Sequence, residues 1–315
     1  MSEYAVFGGC LRSDELSFPE LHPAFGRTPN WSLRIARDAS VDEPCEVLGV
    51  SPHVGCKIAL YRMPNGFRLH HSCSGDFDIS TDGSDILWHP CPGAGFETVR
   101  NDVLGRVLSV SLHLSGIMPL HGSAVAFEDN AVAFLAPKHH GKSTLVTALT
   151  RAGGAPLTDD TVAVDPGPPT FIRPGVYSVR LYRDSACKLF DEEIGQRRAL
   201  DGKHVVDYAA DFSPSADRIP LSAIYLVKPV TPGAVTAPAS RSRLSASQAA
   251  ISILANAKIG MLLGKEQTQR AFECSVILAR SVPVYSLEVV RDFERIDEVV
   301  ELISGWHQLP DAIPA

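Results

Sequence analysis

The chain has 315 residues, 45% of them hydrophobic, which is enough apolar material for one large or two modest domains and excludes a disordered chain. A formal net charge of -7, without any basic run, argues against nucleic acid or an anionic membrane surface as a partner. No apolar run reaches about 18 residues, and no basic and apolar leader precedes a small-residue cleavage site; no membrane span is expected, the expected location is the cytoplasm, and a homo-oligomer is left open.

Residues 1–95 predict a mainly β module. The first thirty residues, with Pro19, Pro23 and Pro29, read as irregular. Apolar runs on either side of Asn65-Gly66 predict one hairpin, and Phe77 to Ser80 with Asp85 to Trp88 around Asp82-Gly83 predict a second. Seven cysteines without a CxxC pair fit a reducing compartment better than a disulfide framework. Five of them precede residue 92 and stand among histidines: His53, Cys56, His70, His71, Cys73, His89 and Cys91. His71/Cys73 and His89/Cys91 would each share one side of a strand, but the short-spaced ligand pairs of a zinc site are missing. Buried strand cysteines and no structural metal are the expectation. The module reads either as packing support or as a substrate-docking platform.

Pro90, Pro92, Gly93 and Gly95 mark a boundary, which divides the chain into 1–95 and 96–315. From Thr98 to Leu114, Val99, Val103, Val107, Val110 and Leu114 step by three or four and predict an amphipathic helix. It delivers the chain to His121. Short apolar strands are then expected at Ser123 to Phe127 and Ala131 to Leu135, joined by a turn at Asp129-Asn130.

Next come Ala136, Pro137, Lys138, His139, His140, Gly141, Lys142, Ser143 and Thr144, which match GxxxxGK[ST] except that Ala136 replaces the first glycine. Such a loop turns backbone N–H groups and a helix N-terminus towards phosphate, while its lysine reaches the outer phosphates and its serine offers a hydroxyl to Mg²⁺. Ala136 fits if its φ is negative. Lys138 to Thr144 are therefore nucleotide-binding candidates, and Lys142 is expected to be exposed to ligand. A short helix should follow from Thr144 to Gly153-Gly154.

Asp159 and Asp160 complete the set. Adjacent carboxylates repel in a dry interior, so they imply a bound cation or a solvated turn. One could anchor Mg²⁺ while the other takes a proton from an acceptor hydroxyl. Phosphoryl transfer also calls for a distal cation, for which Arg173, Arg180 and Lys203 are candidates. The charged stretch 184–217 reads as an acceptor-side loop. Leu221 to Val227 predicts a buried strand, 246–263 an apolar helix interrupted by Gln248, Asn256 and Lys258, and a second helix should end near Arg280. A strand at Val284 to Val289 and a closing helix from Asp292 through Ile303 complete an α/β core.

From His121 to Asp165 the sequence resembles the catalytic core of HPr kinase/phosphorylase and its kinase-like relatives, whose P-loop core is related to phosphoenolpyruvate carboxykinase. His121-Gly122 stands where that family begins a strand, with Lys142 21 residues on and the aspartates 38 and 39 residues on. The resemblance implies an α/β P-loop kinase core of that type with a smaller mainly β N-terminal domain, using ATP and Mg²⁺. It assigns Asp159 as the base, His121 as its hydrogen-bonding partner, and Asp160 with Ser143 as metal ligands. The family's downstream glycine-rich signature is reduced to Arg173-Pro174-Gly175-Val176, which argues against HPr itself as acceptor. Relatives include kinases that act on the C-terminal serine of lasso-peptide precursors. The expected activity is transfer of the γ-phosphoryl of ATP to a hydroxyl of a peptide, a protein or a small molecule; the alternatives are a nucleotide-binding regulatory protein with little transfer activity and a carboxykinase-type enzyme.

Overall fold

Along Gly75–Ser80, Gly75, Phe77 and Ile79 are buried while Asp76, Asp78 and Ser80 are half-buried, the alternation of a strand with one face on a core. The computed structural model describes residues 1–37, 42–53, 55–190, 199, 202–208, 216–233 and 236–307. Its first sheet consists of β1 (Ser2–Val6), β2 (Gly9–Ser13), β3 (His22–Pro23), β4 (Trp31–Ile35), β5 (Glu46–His53), β6 (Cys56–Met63), β7 (Gly66–His71), β8 (Gly75–Ser80) and β9 (Asp85–Pro90). They lie in the order β3-β1-β2-β4-β9-β8-β7-β6-β5. Both expected hairpins form, β6 with β7 and β8 with β9.

The first thirty residues are not irregular. β1 and β2 form a hairpin through Phe7 and Gly8, whose φ values are 48° and 65°. Leu11, Leu16, Phe18 and Leu21 are buried in the core of this sheet. Prolines do break strands, but here Pro19 and Pro29 lie between strands and Pro23 sits in a two-residue edge strand, where a missing N–H costs little.

The predicted helix forms as α1 (Phe96–Asp102), a π-helical stretch at Val103–Val107, and α2 (Leu108–Leu114). Val99, Val103, Val107 and Val110 are buried against the first sheet, each contributing on the order of 1.5–3 kcal/mol. At Gly83 (φ 80°) a Cβ would lie 2.7 Å from the Ser111 carbonyl oxygen, so a glycine lets the β8–β9 turn touch α2. The first apolar core therefore does not stop at residue 95. It runs through Ile117 and takes in Ile259 and Leu262 from far along the chain.

The second sheet carries β10 (Met118–Leu120), β11 (Gly122–Phe127), β12 (Asn130–Leu135), β13 (Ala155–Thr158), β14 (Val162–Asp165) and β15 (Phe171–Arg173), with β18 (Ile219–Val230), β19 (Ala239–Arg243) and β20 (Val284–Val290). β12, β18 and β20 are parallel neighbours at its centre, and β10-β14-β15 continue it on one side. A separate ribbon pairs β16 (Ser178–Leu181) with β17 (His204–Asp207). Helices α3 (Lys142–Arg151), α4 (Arg183–Phe190), α5 (Ala246–Ala255), α6 (Lys265–Ser281) and α7 (Ile296–Gly305) complete a mixed α/β fold. Leu145, Val146 and Leu149 of α3 meet Val299, Val300 and Ile303 of α7 in one core. Asp292 caps the 3-10 turn that leads into α7, as its side chain accepts from Glu294 N–H.

The helix expected over 246–263 is shorter. It starts with a Ser245/Gln248 capping box and stops at Ala255, after which the chain lies along β10 and makes a 3-10 turn at Gly260–Leu262. Of the stretch 184–217 the described parts are 184–190, Ala199, 202–208 and 216–217; the rest of the expected acceptor-side loop lies outside the described residues. Among the described residues, no helix is long and apolar enough to cross a membrane.

The cysteines depart from expectation. β6 pairs with β7 in a register that sets Ile58 opposite His71, and two residues further out Cys56 meets Cys73 in a disulfide. Of the remaining five, Cys10 is buried whereas Cys45 and Cys187 are exposed. Cys56, His71 and Cys73 also present ligand-type atoms within 4.8 Å of one another, a convergence that spacing along the sequence does not reveal. With both sulfurs joined, neither is a thiolate able to bind a metal. The expected thiol titration of denatured, unreduced protein is five groups, rising to seven after reduction, with no stoichiometric zinc by elemental analysis of the oxidised form. Seven thiols without reductant would mean that the pair is open.

Candidate functional site

The loop between β12 and α3 is shaped by two left-handed residues, His139 (φ 69°) and Gly141 (φ 84°). Ala136 keeps a negative φ, which is why alanine fits there. Pro137, Lys138 and His139 are exposed and His140 is half-buried, with its Nδ1 2.9 Å from the Lys138 carbonyl. α3 begins at Lys142 without a side-chain cap. Its first amides have no preceding helical turn to bond, and together with the helix dipole they offer an anion site. A Cβ at Gly141 would meet nothing within 4 Å, so it is the backbone conformation that calls for glycine. Thr144 Oγ1 donates to Ser185 Oγ at 3.0 Å, which ties α3 to α4.

Lys142 is not exposed as expected; it is 6% accessible. Its ammonium folds back to donate to the carbonyls of Ala136 at 2.8 Å and Pro137 at 3.0 Å. Burial pushes its pKa down to about 8, against the pull of Asp159 and Asp160. In this resting position the charge is parked on loop carbonyls.

His121 and the acids meet because of strand pairing. His121 lies between β10 and β11, the acids lie between β13 and β14, and β10 pairs with β14 while β11 pairs with β13. Lys142 Nζ is 3.3 Å from His121 Nε2 and His121 Nδ1 is 3.3 Å from Asp160 Oδ1. A lysine donating to Nε2 selects the ring form whose Nδ1–H faces Asp160.

The structure reverses the expected partners of the two aspartates. Ser143 Oγ donates to Asp159, at 2.9 Å from Oδ1 and 3.1 Å from Oδ2, while His121 bonds Asp160. Asp159 also accepts from Ser123 Oγ and, at 3.3 Å, from the Arg180 N–H. The reason is local. Thr161 N–H donates to the Asp159 carbonyl at 2.9 Å and Asp160 has φ 70°, so the acids straddle a γ-turn and point apart. A left-handed aspartate at the centre of such a turn is backbone strain of the kind found at functional sites.

Lys258 is the residue that sequence reasoning missed. Its Nζ donates to Asp160 at 2.6 Å from Oδ1 and 3.0 Å from the carbonyl oxygen. Crowding by protein opposes ionisation of Asp160, but the Lys258 ammonium and the His121 hydrogen bond outweigh it and hold the carboxyl well below the usual range, although 45% of the side chain is open to solvent. Burial in turn lowers the Lys258 pKa, which Asp160 opposes. The segment is fixed by Lys258 N–H to the Pro119 carbonyl and His121 N–H to the Asn256 carbonyl, at 2.9 and 2.7 Å. Its signal in the sequence was a charge in an otherwise apolar stretch, which reads first as a helix interruption.

Of the three cations singled out downstream, Arg180 meets the acids through its main-chain N–H, which donates to Asp159. Its guanidinium donates to Asn101 Oδ1 at 2.7 Å, and the residue lines a cleft together with Asp159, Asp160, Glu20, Arg100 and Asn101. Arg173 is bound to Asp165 at 2.9 Å and is not among the residues lining that cleft. Lys203 lies over the Tyr182 ring, 4.7 Å from its centre, and Tyr182 in turn stacks on His139 of the loop.

The sequence matches no protein-family model and no curated protein. Among solved structures it is similar to the HPr(Ser) kinase/phosphatase from Coxiella burnetii, at 10% identity over 60% of this chain and 90% of that chain, with a TM-score of 0.32. A likeness of that size carries no argument about what this chain does.

Proposed function

We propose that this chain is an ATP-dependent phosphotransferase acting on a hydroxyl. The observation that carries the reading is the convergence, at an uncapped helix N-terminus, of two hydrogen-bonded clusters carried by adjacent residues: Lys142–His121–Asp160–Lys258 and Ser143–Asp159. The pattern from His121 to Asp160 that resembles the HPr kinase-like family points the same way.

Loop amides and Lys142 would hold the phosphates. Ser143 and Asp159 are oxygen donors side by side, which suits a hard ion, and they are the residues that would hold Mg²⁺. The ion, when bound, offsets charge on the phosphate oxygens. Asp160 is then the group left facing the acceptor, so the roles of the two acids are exchanged relative to the sequence expectation. At rest it is a weak base; phosphate charge arriving beside it competes for Lys258 and raises its pKa. The acceptor oxygen bonds to the γ-phosphorus as the bond to the β,γ-bridging oxygen breaks, ADP leaves, and the hydroxyl proton passes to Asp160. Arg180, which lines the same cleft, would steady the transferred group.

Incubation with γ-labelled ATP and Mg²⁺, with and without added hydroxyl compounds or peptides, tests the reading; nucleotide binding without label transfer to any acceptor would replace it with a regulatory role. A pH dependence follows from Lys142. The ammonium binds phosphate and the neutral amine does not, so affinity should be full below about pH 8 and fall by about tenfold per pH unit above it. Calorimetry from pH 6.5 to 9.5 measures this, with proton uptake on binding near pH 8.5. A flat profile would put the lysine outside the phosphate site.

A further inference from the structure

Glu20 lies in the stretch between β2 and β3, whose neighbours Leu16, Phe18 and Leu21 anchor it in the first core. It is 5% exposed, and Oε2 has no hydrogen-bond partner among the described residues. Oε1 is 3.8 Å from Arg100 Nε, beyond hydrogen-bond reach, and that Nε has no partner either. The two charges attract each other, but the buried Oε2 and the buried Nε–H keep hydrogen-bonding capacity that the fold does not meet. Both residues line the cleft that also holds Asp159 and Asp160.

We propose that this cleft is the acceptor site and that it takes a small uncharged polyhydroxy compound, such as a sugar or sugar alcohol. This rests on the phosphotransferase reading. One hydroxyl of the ligand donates to Glu20 Oε2 and accepts from Arg100 Nε, while another is presented to Asp160. The pair selects that chemistry, because a hydroxyl is both donor and acceptor. An ammonium would satisfy Glu20 and leave Arg100 without an acceptor. A carboxylate would satisfy Arg100 and be repelled by Glu20, Glu97 and the two aspartates, against which the described lining residues set Arg100 and Arg180.

The test offers the parent protein, with γ-labelled ATP and Mg²⁺, a panel of pentoses, hexoses and glycerol beside ethanolamine and a serine peptide with a free carboxylate. Transfer to a polyhydroxy member is expected, with the phosphorylated product identified by mass. Glu20→Gln should then raise the KM for that acceptor by about tenfold with kcat changed much less, as expected for one charged hydrogen bond lost in binding. Arg100→Leu, at a side chain less buried than Glu20, should do the same and keeps the test alive if Glu20→Gln does not fold. Transfer to the peptide or to ethanolamine alone, transfer to no member by protein that binds Mg-ATP, or an unchanged KM in the folded variants would overturn the acceptor class while leaving the nucleotide site standing. Failure of the parent protein to bind Mg-ATP would overturn the phosphotransferase reading itself.

Discussion

Lys142→Ala protein is expected to transfer phosphoryl groups about 10³-fold more slowly than the parent, a loss on the order of 4 kcal/mol of barrier. The charge that must move onto the phosphates is the one now parked on the Ala136 and Pro137 carbonyls, and alanine supplies none. The fold should survive with a modest loss of stability, because Pro137 is exposed and water can reach its carbonyl, while the buried Ala136 carbonyl loses its donor. Circular dichroism would show the parent spectrum, and single-turnover kinetics would show the loss in the chemical step. A folded variant that turns over at the parent rate would remove the phosphate loop from the mechanism.

The aspartates should separate in the opposite sense from the one that family resemblance implies. Asp160→Asn keeps the shape and can still accept from Lys258, but it cannot take a proton; transfer should fall by roughly 10² or more while Mg-ATP binds within a few-fold of the parent. Asp159→Asn removes the carboxylate that Ser143, Ser123 and the Arg180 N–H converge on. Its expected signature is a requirement for much higher Mg²⁺, with nucleotide binding and transfer weakened together. Measuring transfer against magnesium concentration for both variants decides between the two assignments. If Asp159→Asn is the variant that binds normally and fails to transfer, the resemblance has the roles right and the resting geometry rearranges on binding.

Much of this was legible before any coordinates. The loop, the helix after it and the strands before it are set by local signals, namely Gly141-Lys142-Ser143 and short apolar runs, and they form where expected. Contacts between distant segments were not. Lys258 reaches Asp160 only because the chain leaves α5 at Asn256 and pairs with β10, and nothing in the local pattern announces that. The exchange of partners between Asp159 and Asp160 hangs on a single positive φ, which aspartate adopts more readily than most residues but which no spacing rule foretells. The strands of the first thirty residues are hidden in the sequence because prolines between strands look like prolines that prevent them. The Cys56–Cys73 pair was within reach, since the hairpin at Asn65-Gly66 sets a register that brings the two opposite each other; what was lacking was the step from turn to register.

The π-helical stretch at Val103–Val107 sets the angular phase between the two halves of a helix that packs on the first core and lines the cleft. Arg100 and Asn101, which face the aspartates, lie before it, and the buried Val110 and Leu112 lie after it. A π-turn is equivalent to one residue inserted into an α-helix, and one residue corresponds to about 100° of rotation. Deleting a single residue there, for example Gly105, would restore a regular helix, and with the second half held in its core the first half would swing by about that angle. Arg100 and Asn101 would then leave the cleft wall although every side chain of the nucleotide loop stayed in place. The length of this one helix, counted to the residue, thus acts as the gear that keeps Arg100 and Asn101 in mesh with the acids beside the phosphate loop.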